Sequence, residues 1–200
     1  MIVDKSIETP EEIAETIIGL YEEYGSDDYI GEPVSQLEHM HQAANLARKA
    51  GYPNDVILAA FFHDIGHFCE HVINVQRMDG FGVVDHEKLG ADFLRSKGFS
   101  EKIARLVQHH VQAKRYLTFK SPAYYDQLSE ASRATLSFQG GMMTEKEANA
   151  FEADPLFDLY IQLRKWDEQA KMEHQPSADL DYYKRLIVAE LQRELNLNRN

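Results

Sequence analysis

Ten residues, AAFFHDIGHF from Ala59 to Phe68, set two histidines and an aspartate inside a run of apolar side chains. Val56 and Leu58 extend the run upstream as far as Asn54, which reads as a helix cap. A helix this apolar is buried on most sides. A carboxylate carried into such surroundings is costly unless it is paired or bound to a cation. Adjacent residues on a helix lie about 100° apart, so His63 and Asp64 can face one cavity. One carboxylate can give an oxygen to each of two metals. The pair therefore points to a buried metal centre, with Asp64 as its bridge.

Further ligands are expected from other helices: His39 in QLEHMH, His86 in VDHEKLG, His110 in QHHVQAK and Asp167 in RKWDEQ. Four imidazoles and two carboxylates are borderline-to-hard donors that suit Fe, Mn, Co or Zn; no thiolate joins them, which argues against a structural zinc. Spacing does not separate His110 from its neighbour His109. His41 and His71 read as solvated surface. Cys69 is the one cysteine, so no internal disulfide can form, as fits the cytoplasm. It reads as a small, partly buried hydrophobe.

The remaining punctuation is that of successive helices. Thr9-Pro10-Glu11-Glu12 opens one that runs to about Gly25. Val34 to Ala50 carries the next, and the Asn54 helix runs to about Phe68. Residues 69–84 read as a loop. Asp85 caps a helix to Lys97, and Ser100 one to about Tyr116. Ser129 starts a short helix that Gly140-Gly141 break, and Thr144 to Glu147 form a capping box. Asp154-Pro155 starts another helix, and Asp179 or Asp181 the last. The expected fold is all-α, one helical domain over residues 1–200.

A net charge of −12 argues against nucleic acid or an anionic membrane as partner. No stretch reaches the roughly 18 apolar residues of a membrane span, and the first residues carry no signal-peptide pattern. The charge total does not forbid an anionic small molecule, which needs only a pocket that gathers cations. His67 is four residues after His63 and Lys114 four after His110, so each would project toward the ligand cavity.

The pattern formed by His39, His63-Asp64 and Asp167 resembles the HD-domain superfamily, helical proteins mostly known as metal-dependent phosphohydrolases. DYIGEPVSQLEH, AAFFHDIGHF, HHVQAKRYL, SEASRATLSFQGG and RKWDE are similar to one branch, the phosphonate-cleaving diiron oxygenases of the PhnZ and TmpB type. The likeness spans about residues 28–170, with the N- and C-terminal helices packed on that core. It implies two irons, a mixed-valent Fe(II)/Fe(III) pair, one held by His39, His63, Asp64 and Asp167 and the other by Asp64, His86 and His110. The His-to-Lys spacing of HVQAKRYL selects His110 over His109, which becomes an outer residue. His67, Lys114, Ser132 and Arg164 would grip a phosphonate. Tyr29 and Glu32 would form a latch, the Glu leaving the iron for the substrate's amino end, and Gly31 would let the segment move.

The implied reaction takes a 1-hydroxy-2-aminoethylphosphonate and O2 to phosphate and a carboxylate. Tyr29, Phe62, Phe68 and Phe81 favour the N-trimethyl substrate, which yields glycine betaine, over the free amine, which yields glycine. Competing readings are an HD phosphohydrolase with two divalent metals and a non-catalytic ligand sensor. Nothing in the sequence fixes the number of copies that assemble.

Overall fold

Val56, Ile57, Leu58, Ala59, Ala60, Phe61 and Phe62 are all buried, and several other helices pack against the segment that carries them. The computed structural model describes residues 8–29, 31–71, 78 and 83–197. Its elements are α1 (Pro10–Tyr24), α2 (Gln36–Lys49), α3 (Asn54–Phe62), a 3-10 segment (Ile65–His71), α4 (His86–Ser96), α5 (Glu101–Lys120), α6 (Pro122–Gln127), α7 (Glu130–Phe138), α8 (Glu145–Glu152), α9 (Phe157–Gln169) and α10 (Leu180–Leu197). The chain is all-α; among the described residues extended pairing is limited to one antiparallel bridge, Asp28 to Ser35. Helices α2, α5 and α10 lie against α3, α9 packs on α2 and α5, and α4 packs on α5 and the 3-10 segment. Among the described residues no helix is long and apolar enough to cross a membrane.

Helix starts follow the capping chemistry. Thr9, Ser35 and Thr144 accept from the backbone N–H three residues on, while Glu12, Glu38 and Glu147 accept from the N–H of the cap. Ser100 and Ser129 cap α5 and α7, and Asp179 Oδ1 accepts from Tyr182 N–H at the start of α10. Each such cap stabilises by about 1 kcal/mol.

Other boundaries differ from expectation. Asn54 is the first helical residue of α3, and Pro53 stands at the cap without a side-chain bond. The α-helix stops at Phe62, and the chain tightens into 3-10 geometry through His71. Asp85 precedes α4 in the left-handed region, φ 55°, and makes no capping bond. Helix α5 continues to Lys120, and α6 follows where none was expected. After Asp154-Pro155 the helix begins only at Phe157, because Asp154 Oδ1 first accepts from Leu156 N–H.

His41 is half-buried, not solvated, and its Nδ1 lies 2.9 Å from the Tyr183 hydroxyl. His71 is exposed and stacks on Tyr24. Cys69 is buried.

Candidate metal centre

Asp64 sits where α3 gives way to the 3-10 segment, and it is 2 % exposed. Its two oxygens face opposite ways. Oδ2 lies 3.5 Å from His39 Nε2 and 3.3 Å from His63 Nε2. Oδ1 lies 3.2 Å from His86 Nε2 and 3.3 Å from His110 Nε2. Asp167 of α9 joins the first pair, with Oδ1 3.4 Å from His39 Nε2 and 4.0 Å from His63 Nε2. Thus α2, α3, α4, α5 and α9 converge on one carboxylate.

The outward nitrogens fix what the inward ones can do. His39 Nδ1 lies 2.9 Å from Ala170 O, His63 Nδ1 2.9 Å from Ala60 O, His86 Nδ1 3.3 Å from Val83 O and His110 Nδ1 2.7 Å from Val107 O. Only a protonated Nδ1 can donate to a carbonyl, so Nε2 is the nitrogen each ring keeps for ligation, and it would present its lone pair inward to a metal in place of a proton. The Nε2 atoms of His39 and His63 are 2.9 Å apart, and those of His86 and His110 are 3.2 Å apart. Ring nitrogens that close repel unless a proton or a metal ion lies between them. Separations near 3 Å are the edges of a coordination shell with bonds of about 2.1 Å. The donor set therefore fits metal, with candidate ligands gathered on either side of Asp64. Although burial opposes it, the charge on His63 and N–H donation from His110, His63 and His86 hold the Asp64 carboxyl well below its usual range; Arg164 and His39 do the same for Asp167.

His67 shares the wall but has the opposite tautomer. Its Nδ1 accepts from Val83 N–H at 3.3 Å, so a proton sits on Nε2. Its ring stacks on His86 at 4.2 Å. Burial and then His86 push its pKa down to about 3, leaving a neutral donor. Spacing on a regular helix did not bring it there, since the α-helix ends before it; the 3-10 turn did. Gly66 makes this approach possible, because a Cβ there would meet the His86 carbonyl.

A cavity of about 60 Å³ adjoins the ligands, lined by Tyr29, Glu32, His67, Lys114, Ser132 and Arg164 among others. Lys114 Nζ donates to the Ser132 carbonyl at 3.3 Å and to Thr135 Oγ1 at 3.0 Å. Burial, then the Arg164 charge, push its pKa down to about 7. Arg164 Nη1 donates to Asp167 Oδ2 at 2.5 Å and Nε to Glu168 Oε1 at 2.9 Å, while Nη2 is buried with no hydrogen-bond partner. Tyr29 stacks on His39 at 4.0 Å. It opens a turn closed by Glu32 N–H to Tyr29 O, in which Gly31 takes φ +81°. Glu32 pairs with Lys171, at 2.5 Å, and not with an imidazole of the centre.

Other residues named from the sequence lie away from this cavity. His109 bonds to Arg105 O and stacks on Tyr160 at 4.6 Å, away from the donors. Phe62 and Phe68 lie in the apolar core, against Phe99 and Tyr21. Phe81 lies outside the described residues. Sequence reasoning missed Lys171, Gln36, Thr135 and Gln139. Of these, Lys171 carried a signal, a lone cation four residues after Asp167.

The HD domain model matches residues 36–154. An uncharacterized protein, L432, of Acanthamoeba polyphaga mimivirus is 47% identical over 181 residues, 90% of this chain and 83% of the relative. A 1-hydroxy-2-(trimethylamino)ethylphosphonate dioxygenase (glycine-betaine-forming) of Leisingera caerulea is 37% identical over 175 residues, 88% of each chain. A hydroxymethylphosphonate dioxygenase of Gimesia maris is 37% identical over 179 residues, 88% of this chain and 86% of the relative. The chain belongs to the HD-domain family, in the branch that holds these phosphonate dioxygenases.

Proposed function

We propose that this enzyme cleaves the C–P bond of a small 1-hydroxyphosphonate with O2, giving phosphate and a carboxylate. The observation that carries the reading is Arg164 Nη2, a buried cationic donor without a partner, in the cavity that the candidate ligands border. A phosphonate dianion supplies what that donor and Lys114 lack. His39, His63, Asp64 and Asp167 would hold one iron and Asp64, His86 and His110 the other. A mixed-valent iron pair so held supplies the oxidation by O2. The substrate carbon furnishes all the electrons that reduce one O2, so no external reductant enters.

The chain's residues bind and orient. Arg164 and Lys114 neutralise the phosphonate, His67 donates through Nε2–H, and the Ser132 hydroxyl adds a hydrogen bond. Tyr29 and Glu32 form the wall between this cavity and an outer cleft lined by Asp28, Gly31, Pro33 and Glu38. They limit access by water. The N-trimethyl substrate draws no support from Phe62 and Phe68, which lie in the core. The two named relatives act on different hydroxyphosphonates, so the common chemistry is the 1-hydroxyphosphonate head.

The test is phosphate release by iron-loaded enzyme with and without O2, with electron paramagnetic resonance of the protein before and after hydroxyphosphonate is added. Oxygen-dependent release and a coupled mixed-valent signal that shifts with substrate are expected. Release from a phosphate ester that persists anaerobically with Mn or Co would overturn the reading for hydrolysis.

A further inference from the structure

Beyond the metal ligands, the cavity wall is nearly devoid of uncompensated negative charge. Among the described lining residues the carboxylates are Asp64, Asp167 and Glu32. The first two face imidazoles. Glu32 is already engaged: Lys171 Nζ donates to Glu32 Oε1 at 2.5 Å and to Ser129 Oγ at 3.3 Å. Both side chains are largely withdrawn from water, Glu32 at 9% and Lys171 at 16% exposure. Two amides that also line the cavity, Gln36 and Gln139, each have a buried Oε1 without a hydrogen-bond partner. Tyr29 is the one aromatic side chain other than histidine among these lining residues.

We infer that Lys171 is a specificity-determining residue: by holding Glu32 it disfavours cationic substrates, and the preferred substrate carries hydrogen or a neutral hydrogen-bonding group beyond C1. A quaternary ammonium has no N–H, so it can be met only by free carboxylate charge and aromatic faces. Here the carboxylate is spent on Lys171, and a substrate cation drawn to Glu32 would stand beside the lysine's like charge. Breaking the pair to admit it would leave a buried charge uncompensated. The free amides of Gln36 and Gln139 instead suit a hydroxyl, which can donate to them. A primary ammonium falls between, able to donate but repelled by Lys171. The inference rests on the proposed function only for the phosphonate head.

Binding separates the two claims. Methylphosphonate, 2-aminoethylphosphonate and 2-(trimethylammonio)ethylphosphonate lack the C1 hydroxyl, and calorimetry with iron-loaded protein under anaerobic conditions compares them directly. The wild type is expected to bind methylphosphonate about tenfold more tightly than the trimethylammonio compound. Lys171→Met frees Glu32 and should shift that ratio about tenfold toward the cation, Lys171→Arg should keep the wild-type ratio, and adding Glu32→Gln to Lys171→Met should cancel the gain. Equal or tighter binding of the trimethylammonio compound by the wild type would overturn the proposal without recourse to any variant. So would an unchanged ratio in Lys171→Met. If the ligands bind in the expected order while their 1-hydroxy derivatives release no phosphate, the role of Lys171 stands and the C–P cleavage reading fails.

Discussion

A Cβ added to Gly66 would lie 1.8 Å from the carbonyl oxygen of His86 and 2.9 Å from the backbone nitrogen of Gly90. The 3-10 segment and α4 therefore touch backbone to backbone, and this contact sets the distance from Asp64 to His86. Gly66→Ala must push α4 away, at about 1–3 kcal/mol for such overpacking. The His86 half of the centre should loosen while the His39, His63 and Asp167 half is spared. Metal analysis is expected to fall from two ions toward one per chain, and a variant with two ions and unchanged melting would refute the account.

Asp64 is the one residue shared by both halves, with all four Nε2 atoms within 3.5 Å of its oxygens. Asp64→Asn keeps the volume and removes the charge that lets one side chain serve two cations. Loss of both ions is expected, with metal affinity reduced about a hundredfold or more. Retention of one tightly held ion would show that the halves are independent.

Lys114 is 3% exposed and contacts only neutral oxygens, so its charge costs stability. Its folded pKa of about 7 lies below the ordinary 10.5. For a lysine whose folded pKa is depressed, the penalty is fully present below about pH 7. It fades as pH rises and is gone above about 10.5, where both states are neutral. Lys114→Met should accordingly melt higher than wild type at pH 6, by up to a few kcal/mol in stability, with the gap closing toward pH 10. The same variant should bind methylphosphonate more weakly, and wild-type affinity should fall as pH rises through about 7. Calorimetry and melting at equal metal content check both.

His109 and His110 are adjacent but face different neighbourhoods. His110→Ala should lose metal, whereas His109→Ala should keep it and lose about 1 kcal/mol of stacking on Tyr160. Metal content paired with melting separates the two roles. Metal loss in His109→Ala alone would reverse the assignment.

Much of this was legible because local chemistry and global packing agree. Thr9, Ser100, Ser129 and Thr144 cap helices where the sequence puts them, and the apolar run into His63-Asp64 is buried as its composition requires. The end of α3 was not legible, since Ile65 to Phe68 could continue a helix; close packing on α4 through Gly66 decides otherwise. Asp85 has a capping residue's identity, but its left-handed backbone leaves the side chain unused as a cap. The pairing of Glu32 with Lys171 joins residues 139 positions apart, and no local rule reaches that far. Phe62 and Phe68 were misplaced because apolar rings near a ligand pair suit a core as well as a cage.

The outward hydrogen bonds of the four imidazoles differ in reach. His63, His86 and His110 each bond to a carbonyl three residues earlier, whereas His39 bonds to Ala170, 131 residues away. Three of the donors are thus aimed by their own stretch of chain as soon as it is made. During synthesis His63, Asp64, His86 and His110 all emerge before Asp167 and Ala170 exist. The half of the centre around Asp64 Oδ1 can take shape on a growing polypeptide, and the His39 half must wait until Asp167 and Ala170 have been made.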